Sequence, residues 1–345
     1  MTAEIKTELL PATAANIQRA AKSLAAGELV AFPTETVYGL GADALNPKAV
    51  AAIFTAKGRP SQDPLIVHIY RLNQLDLLVN KVPEAALDLM EEFWPGPLTL
   101  VLPKTDAVPG SVTSGLGSVA IRMPSHPVAL ELLRLAGTPI AAPSANLFGH
   151  TSPTTAQHVL ADLDGRVGII LDGGACSVGV ESTVLYLAGE SPILLRPGGI
   201  SLEEIEDVIG PVQVRQRQAD DTHGMPSPGM LARHYAPHTP LTFYPKDMNG
   251  EAALQSLRVA INQGKRVGIL AISEDVERYR ASGAVVYDLG AREDHAAIAG
   301  QIYAALRWLD SQGLDLLIAH GVPAAGLGLA INDRLSRAAE HLFDQ

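Results

Sequence analysis

Leu29-Val30-Ala31-Phe32-Pro33-Thr34-Glu35-Thr36-Val37-Tyr38-Gly39-Leu40-Gly41 is a short apolar run that passes directly into a polar, glycine-bearing loop. The first four residues have the length and composition of a buried strand, and Pro33 cannot continue a strand ladder. Immediately upstream, residues 13–26 predict a helix with Ile17, Ala20, Ala21 and Leu24 on one face and Gly27 as its stop. Downstream, residues 47–57 predict another, with Ala49, Val50, Ile53 and Phe54 on one face. A strand between helices with a polar loop at its end is the repeating unit of an α/β protein.

The same grammar extends outward. Strands are predicted at 65–69, 98–102, 119–122, 139–142, 167–171, 183–187 and 193–196. Helices are predicted at 83–94, 127–136, 154–162 and 201–209, the last opened by a Ser201/Glu204 capping box. Strands and helices mix without strict alternation, so residues 1–210 read as one large α/β domain around a twisted mixed sheet. Residues 211–239 differ: they are rich in Gln, Arg, Asp, Ser, Pro and Gly and lack apolar periodicity, which marks a linker. Within it, Ser227-Pro228-Gly229-Met230 and Arg233-His234-Tyr235-Ala236-Pro237 read as a docking loop. Residues 240–345 alternate cleanly, with strands at 241–244, 267–272, 285–289 and 316–319 and helices near 295–311 and 330–341. They predict a smaller Rossmann-like three-layer domain.

Bulk properties narrow the function. The 345 residues are 47% hydrophobic but only 5% aromatic, enough small aliphatic material for two cores. A formal charge of −11 argues against a chain whose main task is to grip a nucleic-acid backbone. It leaves room for a local basic cleft. One cysteine, Cys176, excludes an intrachain disulfide and a cysteine-rich metal site, and reads as a small buried thiol rather than a nucleophile. No basic-then-apolar leader and no apolar run of about 20 residues occur, so the expected location is the cytoplasm.

No G-x-x-x-x-G-K-[ST] phosphate loop is present. Gly115-Leu116-Gly117-Ser118-Val119-Ala120 resembles a dinucleotide fingerprint but precedes a strand instead of opening a helix, so it reads as a turn. The polar residues collect elsewhere. Lys57-Gly58-Arg59-Pro60 ends a helix; it is either favourable charge at a helix C-terminus or an anion clamp. Asp63 follows it. Arg122 and Arg196 each end an apolar strand just before a proline or one residue later, where a cation needs a partner, either an internal acid or a ligand carboxylate. Ala142-Pro143-Ser144-Ala145-Asn146 ends a strand in small and polar residues, as a capped turn or a phosphate or ribose contact. His68 lies in an apolar strand, the usual setting of a core histidine. Gly179-Val180-Glu181-Ser182-Thr183 is polar just ahead of a strand. These groups gather at strand ends, where α/β ligand sites form.

In order, Phe32–Gly41, Lys57-x-Arg59-Pro60, Pro64-Leu65-Ile66-Val67-His68, Trp94-Pro95-Gly96-Pro97-Leu98-Thr99, Val119–Pro124, Ala142–Asn146, Gly179–Thr183 and Leu195-Arg196-Pro197-Gly198 resemble the Sua5/YrdC family of threonylcarbamoyl-AMP synthases. The linker's Pro228-Gly229-Met230 and His234-Tyr235-Ala236-Pro237, with the extra domain, resemble the longer Sua5 form. The resemblance implies a nucleotidyltransferase that makes threonylcarbamoyl-AMP and pyrophosphate from L-threonine, bicarbonate and ATP. A separate transferase then uses the product for t6A in tRNA. It implies Lys57 and Arg59 as catalytic groups. With Asp63, Ser144, Asn146, Ser152, Arg196 and the lid residue Tyr235, they would hold ATP. It implies Thr36, His68, Arg122, Ala142 and Ser182 around threonine and Thr113 as a further member of the site; Thr34 and Ser118 are further site candidates. Mg2+ is expected with the nucleotide, with no resident metal and no prosthetic group. Two rivals are a carbamoyltransferase of hydrogenase maturation, whose extra zinc-finger-like and acylphosphatase-like parts are missing here, and an RNA-binding module, which the charge disfavours.

Overall fold

A computed structural model of the chain describes residues 5–61, 63–215 and 234–343. The chain divides into two compact units: Met1–Phe148 with Ser152–Ser177 and Glu181–Met230, and Leu231–Gln345 with the short pieces Gly149–Thr151 and Val178–Val180. The linker's Ser227-Pro228-Gly229-Met230 and Arg233 lie outside the described residues.

The first unit is built on strands β1 (Glu8–Pro11), β2 (Val30–Phe32), β3 (Gly39–Asp43), β4 (Ile66–His68), β5 (Leu98–Pro103), β6 (Ser118–Arg122), β7 (Ile140–Ala141), β8 (Ile169–Asp172), β9 (Thr183–Tyr186), β10 (Ile193–Arg196) and β11 (Gln213–Val214). Their order in the sheet is β1-β8-β2-β3-β7-β4-β6-β5-β9-β10-β11, with parallel and antiparallel neighbours mixed. The mixed sheet agrees with the sequence reading. The loop expected over 33–41 is shorter than predicted, because Gly39–Asp43 turns back as β3 and pairs antiparallel with β2. Glycines at 39 and 41 hid this strand by lowering its apparent propensity. β1 was not anticipated: its four residues pair parallel with β8, a partner about 160 residues away.

Helix Ala14–Ala25 buries Ile17, Ala20, Ala21 and Leu24, the face read from the sequence. Together with helix Pro127–Ala136 it covers one part of the sheet through Leu132, Leu133, Val30, Phe32 and Ile140. Each such aliphatic side chain contributes roughly 1.5–3 kcal/mol on full burial. This apolar floor keeps the strands in fixed register, and the polar residues at their ends inherit that precision. The predicted capping box at Ser201 and Glu204 is formed.

The second unit holds β12 (Leu241–Tyr244), β13 (Val267–Ala271), β14 (Val285–Asp288), β15 (Leu316–His320) and β16 (His341–Leu342). They form an all-parallel sheet in the order β14-β13-β15-β12-β16. Val267, Ile269 and Ala271 pack with Leu254, Leu257 and Tyr279 on one face. Gly268 turns to the other face, where a Cβ would meet Leu309 and Leu314 at 3.0 and 2.6 Å. Alternate strand residues thus serve two helical layers, the three-layer arrangement expected. The last helix ends at Ala338 rather than near 341, and the chain continues into β16. Among the described residues no helix is long and apolar enough to cross a membrane.

Candidate active site

In the first unit, strand register brings the arginines and hydroxyls to one rim of the sheet. His68 of β4 lies beside Arg122 of β6, and Arg122 lies beside Thr99 of β5. Leu98 pairs with Thr183 of β9, so Ser182 sits at the same rim, and Arg196 of β10 pairs with Val184. Ser118 starts β6 opposite Pro103, four residues from Arg122, or about 13 Å along the strand. Among the predicted site residues on the first unit's strands, it lies at the opposite end from Arg122.

Arg122 is buried, and three of its five N–H groups are engaged. Nε donates to the Gly96 carbonyl at 3.1 Å, Nη1 to Thr36 Oγ1 at 2.8 Å, and Nη2 pairs with Glu35 Oε1 at 2.5 Å. The internal acid allowed by the sequence is therefore Glu35, and two N–H groups remain for a ligand. Burial works to raise the Glu35 carboxyl, but the charge and hydrogen bond of Arg122 outweigh it, and the net position lies below the usual range. Thr34 Oγ1 lies 2.8 Å from Thr36 Oγ1 and donates to the Val37 carbonyl at 2.6 Å, so the two threonines form one hydrogen-bonded turn. His68 is buried edge-on to Phe32; burial first, and Arg122 second, lower it to about 3. It is a neutral imidazole at pH 7. Ala142 is buried beside β4, its N–H donating to the Ile66 carbonyl at 2.9 Å.

The second set of groups follows helix Pro47–Lys57. Gly58 takes the left-handed conformation (φ 63°) that ends this helix at Lys57, which turns Arg59 out of the helical path. Lys57 is buried. Its Nζ donates to the Ser144 carbonyl at 2.6 Å, the Asn146 carbonyl at 2.5 Å and Asn146 Oδ1 at 3.5 Å. Burial, and next the Arg59 charge, lower its proton affinity well below that of an ordinary lysine. Arg59 pairs with Asp63 Oδ2 at 2.9 Å and donates to the Pro64 carbonyl at 2.9 Å. Burial raises the Asp63 carboxyl, opposed by Arg59, Lys57 and Arg196 in that order. All three cations therefore act on one carboxylate. Thr113 is buried at the end of a short turn whose Val112 carbonyl accepts from Leu65 N–H.

Ser182 joins the two sets. Its carbonyl accepts from Arg196 Nε and Nη2 at 3.2 and 3.0 Å, and its hydroxyl lies 2.7 Å from Thr99 Oγ1. Gly198 is required here, since a Cβ would lie 2.3 Å from the backbone of Glu181 to Thr183. Ser152 is fully buried and donates to Glu181 Oε1 at 2.5 Å. Glu35, Thr99 and Glu181 were not singled out from the sequence. All three lie inside the quoted motifs; Glu35 and Glu181 adjoin hydroxyl residues there, while Thr99, between Leu98 and Leu100, has no such neighbour. Cys176 is buried and its thiol is pushed up to about 12, mainly by burial, so it is no nucleophile at neutral pH.

Tyr235 belongs to the second unit. It is buried at φ 65° against Arg334 (5.3 Å), Tyr303 (5.7 Å) and His234 (4.1 Å). The left-handed conformation of a bulky side chain costs about 1–3 kcal/mol and persists only where its surroundings hold it.

Comparison with known proteins adds three findings. A family profile described as "Telomere recombination" (Sua5_yciO_yrdC) matches residues 22–198, and one described as "Threonylcarbamoyl-AMP synthase, C-terminal domain" matches residues 200–340. A threonylcarbamoyl-AMP synthase of Bacillus subtilis is 50% identical over 334 residues, 96% of this chain and 95% of the relative; one of Pyrococcus abyssi is 46% identical over 329 residues, 94% of each. The crystal structure of P. abyssi Sua5 complexed with L-threonine superposes with a TM-score of 0.88 at 43% identity, covering 99% of both chains.

Proposed function

We propose, from the premise that this chain belongs to the Sua5/YciO/YrdC family of threonylcarbamoyl-AMP synthases, that the rim of the first unit's sheet is where ATP and L-threonine meet. The activity is threonylcarbamoyl-AMP synthesis: L-threonine, bicarbonate and ATP give threonylcarbamoyl-AMP, pyrophosphate and water. The threonine nitrogen adds to the bicarbonate carbon, water leaves, and a carbamate forms. A carbamate oxygen then bonds to the α-phosphorus as the bond to the bridging oxygen breaks, and pyrophosphate departs. Negative charge grows on the phosphate oxygens and the leaving group.

The observation that carries this reading is the buried trio Lys57, Arg59 and Arg196 acting together on Asp63, in a chain without a phosphate loop. Three desolvated cations held by carbonyls and one acid are preorganised for a polyphosphate. The Ser144 and Asn146 carbonyls hold Lys57, Ser152 holds Glu181 beside the Ser182 that binds Arg196, Asp63 lies on the loop after Arg59, and Thr113 ends the short turn whose Val112 carbonyl accepts from Leu65 N–H. Arg122 presents its two remaining N–H groups to the threonine carboxylate, while Glu35 offers an acceptor for the amine. Thr34, Thr36, His68, Ala142 and Ser182 shape that pocket; neutral His68 keeps a second positive charge away from the amine. The site's acids Asp63, Glu35 and Glu181 are engaged by Arg59, Arg122 and Ser152, so these residues do not form a magnesium cage. Mg2+ fits as a companion of the nucleotide, held by its phosphates. Residues 1–210 act as the catalytic domain, 211–239, apart from the edge strand Gln213–Val214, as a linker with Tyr235 as lid, and 240–345 as the C-terminal domain. The product feeds a tRNA threonylcarbamoyltransferase in the cytoplasm, with tRNA contact confined to a local basic patch.

The test is a reaction of the pure chain with L-threonine, bicarbonate and Mg-ATP, followed by mass spectrometry and pyrophosphate release. Threonylcarbamoyl-AMP in equal amount to pyrophosphate is expected, with none when threonine is omitted. Pyrophosphate release independent of threonine would overturn the reading. Tyr235→Ala should lower product yield with the first unit's melting unchanged; an unaltered yield removes the lid.

A further inference from the structure

The second unit carries another cluster of chemistry-bearing side chains. Among the described residues, His150, His238 and Asp310 each offer one donor atom, and these atoms all lie within 4.8 Å of one another. The residues come from three separate stretches of chain: the short piece Gly149–Thr151, the segment leading into β12, and the last position of helix His295–Asp310. The two imidazole rings stand 4.7 Å apart between centroids and are tilted by 36°, and His150 Nε2 is 4.0 Å from Asp310 Oδ2. His238 is exposed, while His150 and Asp310 are largely covered, so the cluster opens to solvent on one side.

The carboxylate is held before any ligand arrives. His238 N–H donates to Asp310 Oδ2 at 3.0 Å, and Thr239 donates to Oδ1 from its N–H at 2.7 Å and its hydroxyl at 2.8 Å. Arg307, one turn earlier on the same helix, donates to the Thr151 carbonyl and holds the chain beside His150. Such outer hydrogen bonds orient ligating groups at metal sites. The helix also ends in an acid, the sign that its dipole opposes, and a cation placed there turns that repulsion into attraction.

We propose that His150, His238 and Asp310 bind a divalent cation of the zinc class, with water as fourth ligand. Around tetrahedral zinc, donor atoms about 2.0–2.1 Å from the metal stand about 3.3 Å from each other. Drawing the three atoms together requires movements of about 1 Å, supplied by side-chain rotation of exposed His238 and a smaller shift of His150 toward Asp310. Two imidazole nitrogens and one carboxylate select zinc over magnesium or calcium, which take oxygen cages. Bound there, the ion ties the segment just after Tyr235 to the end of the helix and to the His150 loop. Its role is structural.

The experiment uses the full untagged chain, stripped with chelator and titrated with Zn2+, Co2+ and Mg2+. One equivalent of Zn2+ should bind about 100-fold or more tightly than Mg2+, and Co2+ should give the intense visible absorption of a four-coordinate site. His238→Ala, an exposed substitution, and Asp310→Asn should each weaken Zn2+ by about 100-fold. Zn2+ should raise the thermal midpoint of the wild type and not of His238→Ala. No stoichiometric Zn2+ binding by the wild type, or binding by His238→Ala as tight as wild type, overturns the site.

Discussion

Replacing Arg122 by Met should destabilise the first unit and reverse the pH dependence contributed by Glu35. The two side chains are only 4% and 7% exposed and 2.5 Å apart, so deleting the guanidinium strands a buried carboxylate. Breaking such a pair from one side costs about 3–5 kcal/mol. For a unit of this size that is a fall of about 6–20 °C in melting temperature. In the native chain the Glu35 carboxyl lies below its ordinary position, so its contribution is present above the unfolded value near 4.3 and is lost as pH falls. Without Arg122, burial, the largest single influence, is opposed only by the backbone hydrogen bonds of Glu35 and Ser125, and the carboxyl moves up. The sign then inverts: stability is highest in acid and declines as pH rises through the unfolded value toward the raised one. Arg122→Met/Glu35→Gln should recover most of the lost stability and flatten the pH profile, yet make no product if Arg122 holds the threonine carboxylate as proposed. The assays are urea denaturation between pH 4 and 8 and threonine-dependent pyrophosphate release. An Arg122→Met protein as stable as wild type over that range, or a double variant no more stable than the single, refutes the pairing argument.

Arg59→Gln and Lys57→Ala should each lower kcat/KM for ATP by about 10²–10³-fold, the usual cost of removing one preorganised donor to a developing negative charge; steady-state kinetics on melted-and-verified folded protein decides, and rates within fivefold of wild type count against the clamp. His68 is lowered to about 3, so unfolded chain gains its proton first as pH falls below about 6.5, costing about 1.4 kcal/mol of stability per pH unit until the folded value is reached. His68→Gln should remove that slope; an unchanged slope between pH 4 and 6 assigns it to other groups. Cys176, buried with its thiol pushed up to about 12, should resist iodoacetamide at pH 8 in the native protein and react fully in denaturant, read by mass spectrometry. Rapid native labelling would show that the thiol is accessible.

The grouping of polar residues was partly legible in the sequence. Arg122, Ser182 and Arg196 stand out as polar groups at the ends of apolar strands, which register brings to one rim, while Lys57, Arg59 and Asp63 follow one another at the end of a helix. Glu35 was overlooked because its neighbours in the sequence are equally polar, and only Arg122, 87 positions away, distinguishes it. Ser118 attracted attention through a glycine pattern but starts its strand at the end far from Arg122.

The order of residues alone determined the element types, because helical and strand faces repeat over a few positions and caps such as Ser201 and Glu204 act across one turn. It also determined which cations must find partners, since an arginine at the end of an apolar strand cannot stay unpaired. Which partner each one finds was decided only by the tertiary structure. β1 beside β8, Arg196 on the Ser182 carbonyl, and two histidines around Asp310 are contacts between distant parts of the chain. Local propensity carries no information about such pairs, which arise when packing of the whole core fixes strand order and register.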